Sequence, residues 1–156
     1  MSNEPDPRFL CDAMLGRLAR WLRILGYDVH YDSGISDARA LTLCQRQGRV
    51  LLTRDRALAG RARGLPRLLI HSQRLDEQLA EMVRALHLDL TRPRLTRCLI
   101  CNRQTQSVPR DEVAEVVPPY VLARTREFTR CPACGRVYWP GTHRTRIEAR
   151  LRSLMT

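Results

Sequence analysis

Residues 49–58 read RVLLTRDRAL, and this stretch decides how the fold is interpreted. The apolar and β-branched run at residues 50–53 predicts a short buried strand. A single carboxylate, Asp55, follows the strand between Arg54 and Arg56, where a short helix is expected to begin. The stretch therefore predicts a strand, a tight turn and a helix, which is the repeating unit of a parallel α/β sheet.

The same order of strand and helix recurs before and after this stretch. Apolar residues of the predicted helices recur at three- and four-residue steps, as in helices that cover one face of a sheet. This alternation predicts an α/β fold with a mostly parallel sheet and helices on both faces. We expect strands near residues 9–11, 27–31, 49–53 and 67–71, and helices near residues 13–25, 36–47, 56–63 and 75–86.

The segment HLDLTRPRLTR, residues 87–97, interrupts the alternation and predicts a domain boundary. We place a first domain at residues 8–92 and a second at residues 93–156, which ends in a basic helix near residues 142–154. With 156 residues, of which 44% are hydrophobic, the chain can bury one moderate core and a small module, but not two full-sized domains.

The chain is strongly basic, with a formal net charge of +11, and all 27 basic residues are arginine. Thirteen arginines against five acids lie after residue 90, whereas 14 arginines against 11 acids lie before it. This excess predicts a polyanionic partner. Nucleic acid is favoured over a membrane because the arginines are spread along the whole chain.

No apolar run reaches the roughly 20 residues that a membrane-spanning helix needs, and the first residues lack the features of a signal peptide. We therefore expect a cytoplasmic protein. In that reducing compartment, the six cysteines are expected to be metal ligands or buried thiols rather than disulfides.

Three aspartates lie at or near the carboxyl ends of predicted strands. Asp12 follows the first strand, Asp55 follows the third, and Asp37 begins the helix after the second. Each has a structural alternative, since an aspartate at a helix amino terminus accepts hydrogen bonds from free N–H groups. In a parallel sheet, however, all three would reach the same edge, where their charges would repel one another unless a cation lay among them.

A cation held by these carboxylates is expected to be Mg²⁺ or Mn²⁺, because hard cations prefer oxygen ligands. Such ions activate water and neutralise charge on a phosphodiester. Asp12, Asp37 and Asp55 are therefore candidate catalytic residues and ligands of this ion. Four arginines are candidate phosphate contacts, with a solvated face or a counterion of Asp55 as the alternative: Arg17, Arg20, Arg54 and Arg56.

Two C-x-x-C pairs, CLIC and CPAC, are separated by 29 residues. Each pair can place two thiolates on one turn, and two such turns complete a tetrahedral Cys₄ zinc site. Four sulfur ligands leave no open position, so this zinc is expected to be structural. The alternative, a redox-active dithiol at CPAC, normally occurs singly in a βαβ setting. The predicted zinc ligands are Cys98, Cys101, Cys131 and Cys134.

The other two cysteines, Cys11 and Cys44, lie in apolar strand and helix settings and are expected to be buried thiols. After the last cysteine pair, Trp139 and Arg144 are candidate nucleic-acid contacts, because aromatic rings stack on unpaired bases and arginine binds phosphate. The alternative for Trp139 is that it forms the small core of the zinc module together with Tyr138.

Four blocks of the sequence resemble, in order, the Mut-seven C-terminal RNase domain family, a branch of the PIN-like nucleases with an added zinc ribbon. The blocks are FLCDAMLGRLARWLRILGYDV, RVLLTRDRAL, RCLICN and RCPACGRVYWPGTH. The resemblance covers about residues 8–150. It implies a PIN-like α/β/α sandwich with a mostly parallel sheet at residues 8–92, followed by a small Cys₄ zinc ribbon at residues 93–156.

By position, the resemblance carries the family's acidic cluster onto the three aspartates and its zinc ligands onto the two C-x-x-C pairs. Related PIN-like proteins often have a further acid two residues after the third, but here that position is Ala57. Neither Asp32 nor Asp76 stands in an obviously equivalent place. This departure leaves open whether the site holds one or two metal ions.

The favoured interpretation is a metal-dependent endoribonuclease that hydrolyses RNA phosphodiester bonds, with the zinc ribbon and the arginines binding RNA. The expected partner is RNA, with tRNA or ribosome-associated RNA as examples. In the alternative, the aspartates are helix caps and the chain is a non-catalytic zinc-ribbon RNA-binding module. A third interpretation, a dithiol oxidoreductase, requires a reactive thiol and no bound zinc. No short motif distinguishes RNA from DNA or specifies the oligomeric state.

Overall fold

The computed structural model describes residues 5–155, apart from the side chains of residues 142–144. The contacts within the chain divide it into two units. The first contains the chain up to Arg23 together with Tyr27–Asp89, and the second contains Ile24–Gly26 together with the chain from Leu90 onward. Within the described residues, no helix is long and apolar enough to cross a membrane.

The first unit is built on a four-stranded sheet. Its strands are β1 (Arg8–Cys11), β2 (Val29–Tyr31), β3 (Arg49–Thr53) and β4 (Arg67–Leu69). Their order across the sheet is β2-β1-β3-β4, and every neighbouring pair is parallel. The helices that alternate with them are α1 (Gly16–Ile24), α2 (Asp37–Gln47), α3 (Arg56–Arg61) and α4 (Leu75–Leu86). The predicted α/β fold with a parallel sheet is confirmed.

Local sequence determines where these helices begin and end. At the start of α2, the Ser36 hydroxyl accepts a hydrogen bond from the Arg39 N–H. At its end, Gly48 adopts a left-handed conformation with a φ of 63°, which glycine tolerates without a steric penalty. Asp12 and Asp55 occupy the N-cap positions of a 3₁₀ turn and of α3, respectively.

The core of the first unit covers both faces of the sheet. Because side chains alternate along a strand, Leu10 and Leu51 project to one face, where they pack with Ala40 and Cys44 of α2 and Leu58 of α3. The alternate residues of β1 and β3 are also buried, except for Val50, which is partly buried. Since α1 and α4 each bury an apolar stripe, we infer that they cover this second face.

Several elements differ in detail from the sequence-based expectation, among them α3 and β4, which each end two residues earlier than expected. The helix expected from residue 13 begins as a 3₁₀ turn, Ala13–Leu15, because the Asp12 carboxylate accepts a hydrogen bond from the nearby Met14 N–H. The second strand is shorter than expected. Tyr27 lies before it, and its ring packs edge-on against Phe9 with the centroids 5.7 Å apart.

The second unit contains a three-stranded antiparallel sheet. Its strands, in spatial order, are β5 (Gln106–Val108), β6 (Phe128–Arg130) and β7 (Val137–Tyr138). The remaining helices are α5 (Arg110–Val113), α6 (Pro119–Arg124) and α7 (Thr142–Met155). Helices α5 and α6 lie between β5 and β6 in the chain, and the segment packs through a small core of Val113, Val117, Val121 and Phe128. This core occupies much of the segment between the two cysteine pairs.

Candidate functional site

The strand order places the carboxyl ends of β1 and β3 at a topological switch point. The chain passes from β1 to β2 on one side, whereas it passes from β3 to β4 on the other. Open α/β sheets bind ligands in the crevice where neighbouring connections diverge in this way. Asp12 follows β1 directly, and Asp55 follows β3 after one intervening residue. Two of the three predicted aspartates therefore lie at the switch point.

A buried hydroxyl links these two aspartates. The Thr53 side chain is fully buried, and its hydroxyl donates a hydrogen bond to Asp12 Oδ2. The Thr53 hydroxyl oxygen itself accepts a hydrogen bond from the Asp55 N–H at 2.9 Å. Asp12 is only 7% exposed, and its Oδ1 accepts a hydrogen bond from the Met14 N–H at 2.9 Å. The Asp12 carboxylate is therefore held in one orientation through both of its oxygens.

Asp55 is exposed and caps α3 with one carboxylate oxygen. Its Oδ1 accepts hydrogen bonds from the Ala57 and Leu58 N–H groups, at 2.8 and 3.2 Å. No described residue donates to its Oδ2. The capping role foreseen as a structural alternative is thus present for both aspartates. It still leaves Asp55 Oδ2 available to a cation, because a carboxylate has about four acceptor sites.

Asp37 has a different partner from the other two aspartates. It is the first residue of α2, and its Oδ2 forms an ion pair with Arg61 Nη1 at 3.2 Å. Both side chains are about half exposed, 49% for Asp37 and 54% for Arg61. An ion pair as exposed as this one is weak. The partner of Asp37 is therefore an exposed arginine of α3.

The three aspartates do not form a tight cluster. Among the described residues, only the four predicted zinc cysteines bring three or more ligand atoms within 4.8 Å of one another. The position expected to carry a fourth acid is Ala57, whose N–H instead donates to Asp55. Asp32 accepts a hydrogen bond from the Gly34 N–H, and Asp76 lies exposed in the first turn of α4.

The four predicted phosphate-binding arginines have side chains without partners among the described residues. Arg54 is partly buried, and its Nε is shielded from solvent without a hydrogen-bond partner. Arg17, Arg20 and Arg56 are exposed. Neither Arg54 nor Arg56 pairs with Asp55, so the counterion alternative does not describe this structure. The guanidinium groups are therefore free to bind an anion.

The four predicted zinc ligands converge in the second unit. Their sulfur atoms all lie within 4.8 Å of one another, and the Sγ atoms of Cys98 and Cys134 are 3.7 Å apart. Zinc with Zn–S bonds of about 2.3 Å holds its sulfur ligands about 3.8 Å apart in a tetrahedron, so this spacing fits. Cys98 and Cys131 are fully buried, Cys101 is partly buried and Cys134 is exposed. The four thiols can therefore hold a metal ion such as zinc.

The two C-x-x-C turns share one backbone pattern. The residue after each second cysteine donates its N–H to the carbonyl of the first cysteine: Asn102 to Cys98 at 2.9 Å, and Gly135 to Cys131 at 3.0 Å. Asn102 and Gly135 are both left-handed, with φ values of 65° and 75°, a conformation that asparagine and glycine tolerate best. In each turn, a further N–H donates to the first cysteine's Sγ at 3.4 Å. At Cys98, this donor favours the thiolate form that metals bind.

The hydroxyl of Tyr138 contacts the first ligand. It accepts a hydrogen bond from the Leu99 N–H at 2.9 Å, which leaves its own proton to donate to Cys98 Sγ at 3.1 Å. Burial tends to raise the pKa of Cys98, but the hydrogen bonds from Tyr138 and the turn N–H groups lower this pKa to about 6. Burial, together with the contact to Cys98, raises the pKa of Tyr138. Cys98 is therefore ready to bind a metal at neutral pH.

The remaining predicted residues fall into three groups. Trp139 packs against the core of the second unit, with its ring centroid 6.4 Å from that of Phe128, as in the structural alternative. Its stacking on RNA bases stays a prediction. The side chain of Arg144 lies outside the described residues. Cys11 and Cys44 are buried, and burial raises the pKa of both thiols, that of Cys44 to about 11.

Two contacts were missed by the sequence-based predictions, namely the Thr53 hydroxyl between two aspartates and the Tyr138 hydroxyl at Cys98. For Thr53 a signal existed, because it ends the strand that precedes Asp55. Its meaning depended on the register, which pairs Cys11 with Leu52 and so sets Asp12 beside Thr53. Nothing in the sequence indicated that Tyr138 would direct its hydroxyl to a cysteine.

Comparison with known proteins identifies the family. The model of the Mut7-C RNAse domain family matches residues 7–151, which is nearly the whole chain. No curated protein and no solved structure matches the chain significantly. The family description indicates a nuclease-like or RNA-related role, with RNA as substrate or partner. The matched residues include Asp12, Asp55 and the four cysteines. Because the family model covers nearly the whole chain, the chain belongs to the Mut7-C RNAse domain family.

Proposed function

We propose that this protein is a metal-dependent endoribonuclease that hydrolyses RNA phosphodiester bonds at the carboxyl edge of its parallel sheet. The observation that carries the proposal is the placement of Asp12 and Asp55 at the switch point of the sheet, joined through the hydroxyl of Thr53. Membership of an RNase domain family supports the same assignment. The cytoplasm is the expected location.

Asp12 and Asp55 are the proposed principal ligands of Mg²⁺ or Mn²⁺. When bound, such an ion lowers the pKa of a coordinated water and neutralises charge on the phosphodiester. Asp12 is suited to this role because its two oxygens are already oriented by the Met14 N–H and the Thr53 hydroxyl. Asp55 contributes Oδ2, the oxygen that capping leaves free.

Asp37 is the proposed third ligand. Its carboxylate is paired with Arg61, so it must exchange a weak, exposed ion pair for a metal contact. We therefore expect loss of Asp37 to reduce cleavage less than loss of Asp12. Ala57 supplies no carboxylate where related proteins often have a fourth acid, which favours a single metal ion over two.

The arginines are the proposed contacts to the RNA backbone. The side chains of Arg17, Arg20, Arg54 and Arg56 lack described partners, and guanidinium groups bind phosphate oxygens in pairs. In the second unit, zinc bound by the four cysteines would have a structural role, because four thiolates leave no open coordination position. We propose that this unit, including Trp139 and Arg144, adds to RNA binding. RNAs such as tRNA or ribosome-associated RNA belong to this proposal.

A second candidate function is an RNA-binding module without catalysis. The observation that favours it is the capping geometry, since Asp12 and Asp55 each accept hydrogen bonds at the start of a helical turn. In this version, the free arginines and the zinc module bind RNA, and no bond is broken. A dithiol oxidoreductase is disfavoured by the convergence of all four sulfur atoms, and elemental analysis for zinc tests it directly.

The deciding experiment is cleavage of end-labelled RNA by the zinc-loaded protein, with and without Mn²⁺. Wild type is compared with Asp12→Asn and Asp55→Asn. Asp111→Asn is the control, because Asp111, like Asp55, is an exposed acid at the start of a helix. We expect Mn²⁺-dependent internal cuts in wild type and in the control, and none in the other two variants. RNA binding without cleavage in all four proteins would instead establish the binding module.

A further inference from the structure

The two C-x-x-C turns carry an arginine at the same position. Arg103 and Arg136 each stand two residues after the second cysteine of a pair. The carbonyl of each arginine accepts a hydrogen bond from the N–H of the first cysteine, at 2.8 Å for Arg103 and 2.9 Å for Arg136. Both side chains are exposed and have no hydrogen-bond or ion-pair partner among the described residues. The turns therefore hold the two backbones alike and leave both guanidinium groups in solvent.

An open groove of about 420 Å³ lies beside the first of these turns. This volume is within the range of ligand-binding clefts, roughly 300–1,000 Å³. Both turns contribute to the groove, and none of its lining residues is acidic: Arg97, Cys101, Asn102, Arg103, Gln104 and Pro132. Two arginines thus line one groove without a carboxylate among them, and such a groove attracts an anion.

Arg97 offers a fixed donor at this groove. Its Nε donates to the Gly26 carbonyl at 3.1 Å, and its Nη1 donates to the Asn102 carbonyl at 2.8 Å. Its Nη2 has no partner among the described residues and is not buried. Because two of its nitrogens already hold the guanidinium group in place, Arg97 loses little further freedom when Nη2 binds a phosphate oxygen.

The sequence around the first turn is also free of acids. No acidic residue occurs between Asp89 and Asp111, a stretch that contains five arginines, whereas four of the five acids after residue 90 lie at residues 111–127. The alternative role of the arginines is to balance the negative charge of a zinc ion bound by four thiolates. Among the described residues, however, no guanidinium group of Arg97, Arg103 or Arg136 makes a hydrogen bond to a cysteine sulfur.

We propose that these arginines bind the phosphodiester backbone of single-stranded RNA, with Arg97 and Arg103 on one phosphate and Arg136 on another. The assignment to RNA rests on the function proposed above. A positively charged groove that follows the backbone is typical of single-strand binding. Gln104, which is exposed and has no described partner, can then form hydrogen bonds with a base edge. The site holds the strand and does not cut it, because none of its residues is an acid.

The test measures binding rather than cleavage. Fluorescence anisotropy of labelled oligo(U) RNA, and of oligo(dT) DNA of the same length, is recorded over a range of salt with the zinc-loaded full chain, without added Mg²⁺ or Mn²⁺. Arg103→Gln and Arg136→Gln should each weaken RNA binding by about three- to tenfold at low salt and reduce the slope of log K against log salt by about 0.7. The double variant should lose about twice that slope. Neither change should affect folding, because the two side chains have no described partners.

Arg124→Gln is the matched control, because it removes the same charge from an exposed arginine without described partners that lies within the acidic stretch 111–127. It should leave the slope unchanged. An effect as large as that of Arg103→Gln would overturn the proposal and indicate a diffuse effect of net charge. A loss of binding confined to DNA would overturn the assignment to RNA.

Zinc affinity is measured for each variant by competition with a chelator. Weaker zinc binding with unchanged RNA affinity would overturn the proposal and identify the arginines as counterions of the zinc ion. RNA binding that depends on these arginines, in a protein that never cleaves RNA, would contradict only the catalytic function. Cleavage by wild type together with unchanged RNA affinity in both single variants would overturn only the present proposal.

Discussion

The hydroxyl of Thr53 donates a hydrogen bond to the carboxylate of Asp12, although the two residues are 41 positions apart in the chain. The contact arises because β1 and β3 are parallel neighbours whose register pairs Cys11 with Leu52. The residues that follow this pair, Asp12 and Thr53, therefore lie beside each other. Since the same hydroxyl oxygen accepts a hydrogen bond from the Asp55 N–H, Thr53 ties the two proposed metal ligands together.

Replacing Thr53 by valine is expected to lower Mn²⁺-dependent RNA cleavage by about 10- to 100-fold. Valine keeps the shape of threonine but removes the hydroxyl, so Asp12 Oδ2 loses its donor and the Asp55 N–H loses its acceptor. Single-turnover cleavage assays at several Mn²⁺ concentrations measure the effect. The loss should be larger at low Mn²⁺, because the orientation of a ligand affects metal affinity first.

The conservative variant Thr53→Ser restores the hydroxyl and should recover most of this activity. A merely structural role would predict the opposite pattern, with cleavage following thermal stability in both variants and no dependence on Mn²⁺ concentration. The melting temperature of each variant is therefore recorded beside its cleavage rate. Equal activity of wild type and Thr53→Val would contradict the positioning role.

Replacing Tyr138 by phenylalanine is expected to weaken zinc binding by about tenfold. The variant removes the hydroxyl that donates to Cys98 Sγ and keeps the ring. Without this donor, the pKa of Cys98 should rise from its lowered value of about 6, so protons compete better with zinc. Competition with a chromophoric chelator, from pH 6 to pH 8, measures the change, which should be greatest at the acidic end.

Tyr120→Phe is the matched control for this experiment, because the Tyr120 side chain is 69% exposed. It should bind zinc as wild type does at every pH. A Tyr138→Phe variant with unchanged zinc affinity would show that the turn N–H groups are sufficient to stabilise the Cys98 thiolate.

Replacing Glu81 by glutamine is expected to destabilise the fold near neutral pH by about 1–2 kcal/mol. The Glu81 carboxylate accepts hydrogen bonds from the His71 and Ser72 N–H groups, at 2.9 Å each. Burial tends to raise its pKa, but these hydrogen bonds lower it below the ordinary value of 4.5. The folded state therefore holds the proton less tightly than the unfolded state does.

The sign of the pH dependence follows from this lowered pKa. The stabilisation is fully present above the unfolded-state pKa and is lost as the pH falls through the folded-state value. Denaturant unfolding at pH 7 and at pH 3 should therefore show a smaller difference between wild type and Glu81→Gln at the acidic end. The exposed Glu115→Gln variant serves as a control and should change little at either pH. A difference that grows as the pH falls would contradict the prediction.

The sequence by itself determined the elements whose signals are local. The cap at Ser36, the left-handed Gly48 and the apolar run of β3 each depend on a few neighbouring residues, so the start and end of α2 and the extent of β3 could be predicted. The spacing of the four cysteines was equally informative. A C-x-x-C turn places two sulfur atoms together within one turn of chain, and two turns suffice for one metal ion.

Only the tertiary structure decided which distant side chains meet. Whether Asp12 contacts Thr53 depends on strand order and register. The pairing of Asp37 with Arg61 depends on the packing of α2 and α3 in one core cluster. The three aspartates look alike in the sequence, but their surroundings differ in the folded structure. Asp12 is buried, Asp55 caps a helix with only one of its two carboxylate oxygens, and Asp37 forms an ion pair. The physical reason is that hydrogen bonds and charge pairs act over a few ångströms. Packing of the whole unit, rather than local preference, sets those distances.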